Sequence, residues 1–564
     1  MFKTSMLFAI SVVVGLPALA GHGSDLFQTI RNLDFAAVRA HLTKETLEAR
    51  DISRSLRFTA AMLVLASALY SQNQPFRPAI PKVWDEAALA EWATPVAGLN
   101  VRPTHISSSE YYSAPEHNLR SYPVYMPGRE PDGYWEMLQS IGPKPLIEPA
   151  TLKTEADWLQ AGQRVFDEAT TPHLTVFDPQ VIRNLRGREY LEGQRAAPLA
   201  DGTLGTLRWV PTKQGVALST SMCGGCHMLF RSDGVRIPGL SSRTEVSRTR
   251  PFQAVGVRAD FLEAQNHVMR GASPFHMGVG SLGSRLYQAF GVPWLNNDPN
   301  LRLKSIIEEE YAALVTAERN GGAITRWGGS PLFPAKIPDL IGVKDRKYLD
   351  HTATHLHRGI GDLMRYAAQV TFAEMTDFGP HHVLSAGTKR TQARVPDEAF
   401  YALALYIYSL KPPPNPNPLD EKARAGQKVF AGEGCAGCHT PPLYTNNRVT
   451  LAQGFTPPRD KPASIDVLPV SVGTDPGLAL ATRKGTGYYK IPSLKGAWYR
   501  GHYLHDGSVA SLEEMFDPDR LRDSHVPGGY CPPGLKGRAI KGHEFGLKLK
   551  PEEKESLLAF LRTL

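Results

Sequence analysis

Hydrophobic and polar positions change their rhythm several times along the chain. Met1 to Lys3 carries a positive charge, Met6 to Leu16 is an apolar run, and Ala18-Leu19-Ala20 offers a small-residue cleavage site. That order predicts a secretory signal peptide over residues 1–20 and a periplasmic or secreted location. A second apolar run, Phe58 to Tyr70, is shorter than the ~20 residues a helix needs to cross a bilayer. No stable membrane span is therefore expected. Helical spacing recurs at Ala161 to Phe166 (AGQRVF), Tyr401 to Leu410 (YALALYIYSL), Ala425 to Phe430 (AGQKVF) and Leu557 to Leu564 (LLAFLRTL). Residues 76–150 are rich in Pro, Tyr and Trp without sustained periodicity, which reads as a loop-rich, ordered extension. Lys411 to Asp420 (KPPPNPNPLD) cannot continue a helix and reads as an extended linker.

These patterns divide the chain into residues 1–20, 21–75, 76–150, 151–410, 411–420 and 421–564. Residues 21–75 resemble one and a half degenerate ankyrin repeats, a helix pair followed by a loop and a further helix. Such a fragment is too short to bury its own faces. The hydrophobic fraction of 42% and charged fraction of 21% are those of a globular protein. A formal charge of +8 is mild for 564 residues, and its lysines and arginines form no stripe, so a nucleic-acid partner is not expected.

Four of the five cysteines stand in two copies of one pentapeptide, Cys223-Gly224-Gly225-Cys226-His227 and Cys435-Ala436-Gly437-Cys438-His439. C-x-x-C-H is the attachment sequence of c-type haem: the thiols add to the porphyrin vinyl groups and the histidine binds iron. A redox dithiol does not need the histidine, and a zinc knuckle needs further paired ligands. Two covalently bound haems in an exported chain are the reading that uses every residue of the motif. The flanks repeat too, since the AGQ(R/K)VF hexapeptide precedes each site on a predicted helix and an apolar helix closes each copy. In the first copy residues 167–222, 56 in all, separate Phe166 from Cys223, so a large insertion decorates that haem. The expected fold is mainly α, with two cytochrome c-like haem domains, long loop insertions and an N-terminal extension. Cys531 is left over; an inert buried cysteine is the favoured reading, with a free thiol or an intermolecular bridge as the alternatives.

Beyond the second haem site the chain reads Lys490 to Trp498 (KIPSLKGAW), then His502 to Glu514 (HYLHDGSVASLEE). This resembles the H-D-G-S stretch of the bacterial di-haem cytochrome c peroxidase superfamily. The long insertions, Phe333 to Gly342 (FPAKIPDLIG), and Gly542 to Gly546 (GHEFG) incline the resemblance to the larger, rubber-oxygenase-like branch. It covers residues 150–564. The resemblance implies a catalytic N-terminal haem with His227 as proximal ligand and an electron-relaying C-terminal haem with His439 as its ligand. It also implies hydrogen peroxide or dioxygen as oxidant and a small periplasmic electron donor, a cytochrome c or a cupredoxin. Hydrogen peroxide reduction is the leading activity. The alternatives are a haem-dependent dioxygenase acting on an apolar unsaturated substrate, and a di-haem electron carrier without catalysis. The superfamily often holds calcium between its haem domains, and no oxygen-ligand loop here assigns it.

The methionine that such peroxidases carry beyond the H-D-G aspartate would fall at Asp519. Met515 lies earlier and His543 later; His543 is favoured as second axial ligand, and a surface histidine is its alternative. A carboxylate that could move protons during peroxide cleavage is sought in Ile306 to Tyr311, where Glu309 and Glu310 are the candidates, against a solvated helix face. An oxygenase pocket would instead use Phe290, Pro293 and Trp294 as its wall, against plain core packing. Trp294 and Trp327 are candidates for relaying electrons between the haems. His351, His355, His357 and Arg358 are candidates for contact with haem propionates, against plain surface polar residues.

Overall fold

A computed structural model describes residues 76–171, 175–193, 198–231, 235–241, 282–320, 322–325, 328–371, 376–382 and 393–564. The signal peptide, the ankyrin-like segment and Trp327 lie outside the described residues. Residues 75–564 form one compact unit.

Two helix pairs organise it. Helix α1 (Glu155–Glu168) starts at Thr154, whose side chain accepts from Asp157 N while Asp157 returns the bond to the Thr154 backbone, a capping box. Trp158, Ala161, Gly162, Val165 and Phe166 form its buried stripe at helical spacing. This stripe packs on α2 (Asp397–Ser409). Helix α3 (Glu421–Gly432) is capped by Asp420 and buries Ala423, Gly426 and Phe430. It packs on α4 (Pro551–Arg562), which has Pro551 in its first turn and Leu557, Leu558, Phe560 and Leu561 inside.

The repeated hexapeptide sets both crossings. A Cβ on Gly162 would overlap the Ala402 carbonyl and the Tyr406 Cβ; one on Gly426 would overlap the Ser556 carbonyl and the Phe560 Cβ. In each pair only the absence of a side chain lets the backbones approach. Four residues later an aromatic ring seals the contact: Phe166 meets Tyr406 with centroids 5.5 Å apart, and Phe430 meets Phe560 at 5.4 Å. Each buried aromatic contributes about 1.5–3 kcal/mol by area alone.

Strand structure is more extensive than the mainly helical expectation. The insertion after α1 contains strands β2 (Thr203–Thr212) and β3 (Gly215–Thr220), with β1 (Tyr122–Tyr125) from the extension as their third partner. Val124, Leu138, Val181, Leu204, Trp209 and Leu218 give this module its own apolar core. Both ends of the insertion meet beside α1: Thr170 bridges Ser221, and Met222 N donates to Ala169 O at 2.8 Å. The extension is likewise part of the interior. Trp84, Trp92 and Tyr111 are fully buried in the same cluster as α1 and α2, and the two indole N–H groups donate to the carbonyls of Ile106 and Leu356. Residues 411–420 contain neither helix nor strand.

Candidate haem sites

Because the insertion returns to the end of α1, Cys223 stands where Cys435 stands after α3, just beyond the helix pair. Cys223 to His227 form one short turn in which His227 N donates to Cys223 O at 3.0 Å. The equivalent His439 N to Cys435 O bond is 2.8 Å. No disulfide joins any of the four cysteines. Burial pushes the Cys223 thiol up to about 12, with Cys226 adding to it, and burial followed by Glu433 pushes Cys435 up to about 11. Such surroundings disfavour the free thiolate that a redox dithiol uses. Among the described residues no group of three or more His, Cys, Asp or Glu side chains is placed to hold a metal ion.

At the second site His439 is buried, and its Nδ1 lies 3.1 Å from Pro492 O and 3.3 Å from Tyr444 O. Both carbonyls accept, so the proton resides on Nδ1 and Nε2 keeps its lone pair for iron. The His543 ring faces it with centroids 6.3 Å apart. Two imidazoles on one metal at about 2.0 Å per bond require a centroid spacing of about this size. Burial holds the His543 ring neutral, its pKa lowered to about 4, with His439 adding to the effect. The residues present therefore fit a haem held between His439 and His543.

The loop that presents His543 depends on a residue the sequence did not announce. Arg520 is fully buried, donating from Nε to Met515 O at 3.0 Å and from Nη2 to Gly542 O and His543 O at 2.9 and 2.8 Å; Nη1 bonds Ile540 O. Its guanidinium thus converges on the 540–543 turn. Gly542 has φ 80° and a Cβ there would strike the backbone of Gly473 and Thr474, while His543 itself sits at φ 50°. Met515 packs in the apolar cluster with Phe430 and Leu557, and Asp519 is exposed.

The other candidates are dispersed. Glu309 and Glu310 are exposed on the helix Glu308–Asn320, whereas Glu318 on that helix is buried and accepts from the Thr325 hydroxyl. Phe290 is buried in a cluster with Leu286, Leu303 and Leu314, and Pro293 is exposed. Trp294 stacks on Phe378 at 5.9 Å, with the Arg483 guanidinium 5.4 Å from its centroid. A cation so placed opposes positive charge on the indole.

His351 Nε2 donates to Lys336 O at 2.8 Å; burial holds this ring neutral, its pKa lowered to about 3. His357 is held between Arg346 O and the Tyr408 hydroxyl, and Arg358 pairs with Asp362. His355 lies 4.1 Å from the Trp92 ring centre with its Nε2 buried and unpartnered. Cys531 is half-buried, its thiol 3.7 Å from Leu535 O.

The two stretches that carry the family resemblance touch each other. Lys336 N donates to His505 O at 2.8 Å, and Asp339 pairs with Arg500 at 2.8 Å. His505 stacks on Tyr489 at 4.4 Å, and Asp506 pairs with Arg538 at 2.9 Å. The H-D-G motif is thus a brace between the two halves.

No family model matches the chain. It is 28% identical over 175 residues to cytochrome-c peroxidase IdrP1 of Pseudomonas sp. (strain SCT), covering 26% of this chain and 41% of that protein. It is 30% identical over 146 residues to the methylamine utilization protein MauG of Methylorubrum extorquens, covering 25% of this chain and 34% of that one. The chain thus spans less than half the length of either relative. A solved MauG-like protein associated with microbial copper homeostasis matches 48% of this chain and 90% of its own at 18% identity, with a TM-score of 0.26. The named sequence relatives support the di-haem cytochrome c peroxidase superfamily. No helix among the described residues is long and apolar enough to cross a membrane.

Proposed function

We propose that this chain is an exported di-haem oxidoreductase that reduces hydrogen peroxide at the haem of Cys223, Cys226 and His227. Electrons reach that haem through the one bound by Cys435, Cys438 and His439. The observation that carries this reading is the facing pair of His439 and His543 in one of two modules built on the same helix crossing. His439 and His543 would both hold a haem placed between them, which would supply electron relay, and that leaves the reaction to the first module. Each peroxide takes two electrons and two protons and leaves as two waters. The electrons come from a small periplasmic cytochrome c or cupredoxin.

Bound haem supplies iron that changes oxidation state; this chain's residues orient it and handle protons. The carbonyls of Pro492 and Tyr444 fix the His439 tautomer, and Arg520 fixes the loop of His543. For proton transfer the helix Glu308–Asn320 offers Glu309 and Glu310 on its exposed side and Glu318 on its buried side. Enclosure favours Glu318, because a carboxylate shielded from bulk water can return the proton it takes.

Steady-state peroxide reduction with a reduced small cytochrome c tests this reading. Glu318→Gln is expected to lower kcat by about 10²-fold or more, with Glu309→Gln and Glu310→Gln near wild type. A wild-type holoprotein that consumes no peroxide with any reduced donor overturns it.

A further inference from the structure

A cavity of about 70 Å3 opens in the seam between the two halves. That is well above the roughly 10–15 Å3 that one water needs. Lys336, Asp339 and Arg346 line it from the first half; Arg448, Lys490 and Arg500 line it from the second. Five cations against one carboxylate is the opposite of what a calcium ion requires. Asp339 is already engaged, by Arg346 and Arg500 at 2.8 Å each, and Arg448 pairs with Asp466, outside the lining, at 2.9 Å. Lys336 is different. Among the described residues no ion pair engages its ammonium, although it is only half-exposed. Burial, reinforced by Arg500 and Arg346 and countered by Asp339, lowers its pKa to about 8. A charged group kept this way is costly unless something compensates it. Pro492 also lines the cavity, and its carbonyl holds the Nδ1 proton of His439.

We propose that this cavity is an anion site of the carboxylate or phosphate class, with Lys336 as its counter-charge and the Arg346 and Arg500 guanidinium groups as additional donors. Two sources can supply that chemistry. One is a propionate of the haem on His439, because Pro492 belongs both to the cavity and to that histidine's support. The other is a free anion from solution. Only the first rests on the haem reading given above.

The test uses the full-length holoprotein in wild-type, Lys336→Gln and Lys336→Arg forms, with Lys490→Gln as the second variant if Lys336→Gln does not fold. Melting temperature is followed against inorganic phosphate at matched ionic strength, and the potential of each haem by spectroelectrochemistry. A propionate in the cavity predicts no phosphate response. It also predicts a downward shift of one haem's potential in Lys336→Gln, because an uncompensated carboxylate favours the more positive ferric state; Lys336→Arg restores it. A free anion predicts that phosphate raises the wild-type melting temperature, that Lys336→Gln abolishes the rise, and that both potentials stay unchanged. Folded Lys336→Gln with wild-type potentials and a wild-type phosphate response overturns the proposal. A chain without covalent haem would instead defeat the functional reading, and the phosphate series would still report on the cavity.

Discussion

In the C-terminal module four residues separate Phe430 from Cys435, whereas in the N-terminal module 56 separate Phe166 from Cys223. The longer excursion builds a sheet with its own core, yet delivers Met222 to within a hydrogen bond of Ala169. Closing a longer loop costs little extra entropy, so the helix crossing tolerates the insertion as long as its ends rejoin. What the modules hold in common is therefore the glycine-and-aromatic crossing that places the C-x-x-C-H turn. They differ in what surrounds that turn. The short module spends its remaining chain on a loop that brings His543 opposite His439, and the long one adds protein around the turn of Cys223 to His227.

If the two crossings do the same work, Gly162→Ala and Gly426→Ala should each cost about 1–3 kcal/mol or more, since the new methyl meets a backbone carbonyl that cannot retreat. Haem content per chain and thermal melting measure both. A substitution tolerated at one glycine and not at the other would show that the modules are not equivalent. Arg520→Gln separates them next: with four buried carbonyls losing a charged donor, a loss of several kcal/mol is expected, and the low-spin spectrum should change at one haem only. His543→Met is gentler. A thioether in place of an imidazole raises the potential of the C-terminal haem, readable by redox titration, and leaves the other haem unmoved.

The smallest effect concerns the seam. Burial pushes the Asp339 carboxyl up, but Arg500, Arg346 and Lys336 overcome it and hold the pKa at about 2, below its ordinary 3.8. A depressed carboxylate contributes stability above its unfolded pKa and loses it as pH falls through the folded one. The Asp339→Asn variant should therefore show less loss of stability than wild type between about pH 4 and pH 2. Equal slopes in the two acid titrations would mean that Asp339 does not brace the halves.

Much of the helix framework was legible because it is local. The hexapeptide repeat and the apolar closing helices declare themselves within a few residues. His543 was legible as a ligand candidate by residue type and resemblance. Its support was not, because Arg520 acts through four carbonyls and an arginine in a loop looks like any surface charge. The burial of Trp84 and Trp92 was equally hidden, since a segment without periodicity gives no hint of which core it will join. The sheet module was missed for the same reason: β1 and β2 come from stretches some eighty residues apart. Pairs such as Asp339 with Arg500 join distant segments, and a single sequence carries no record of such contacts.

Electron paramagnetic resonance of the oxidised holoprotein, before and after hydrogen peroxide, tests the division of labour most directly. The account predicts a low-spin signal from the His439–His543 haem beside a high-spin signal from the His227 haem, the latter consumed by peroxide. Two low-spin signals that ignore peroxide, both as isolated and after one-electron reduction, would contradict it and leave an electron carrier.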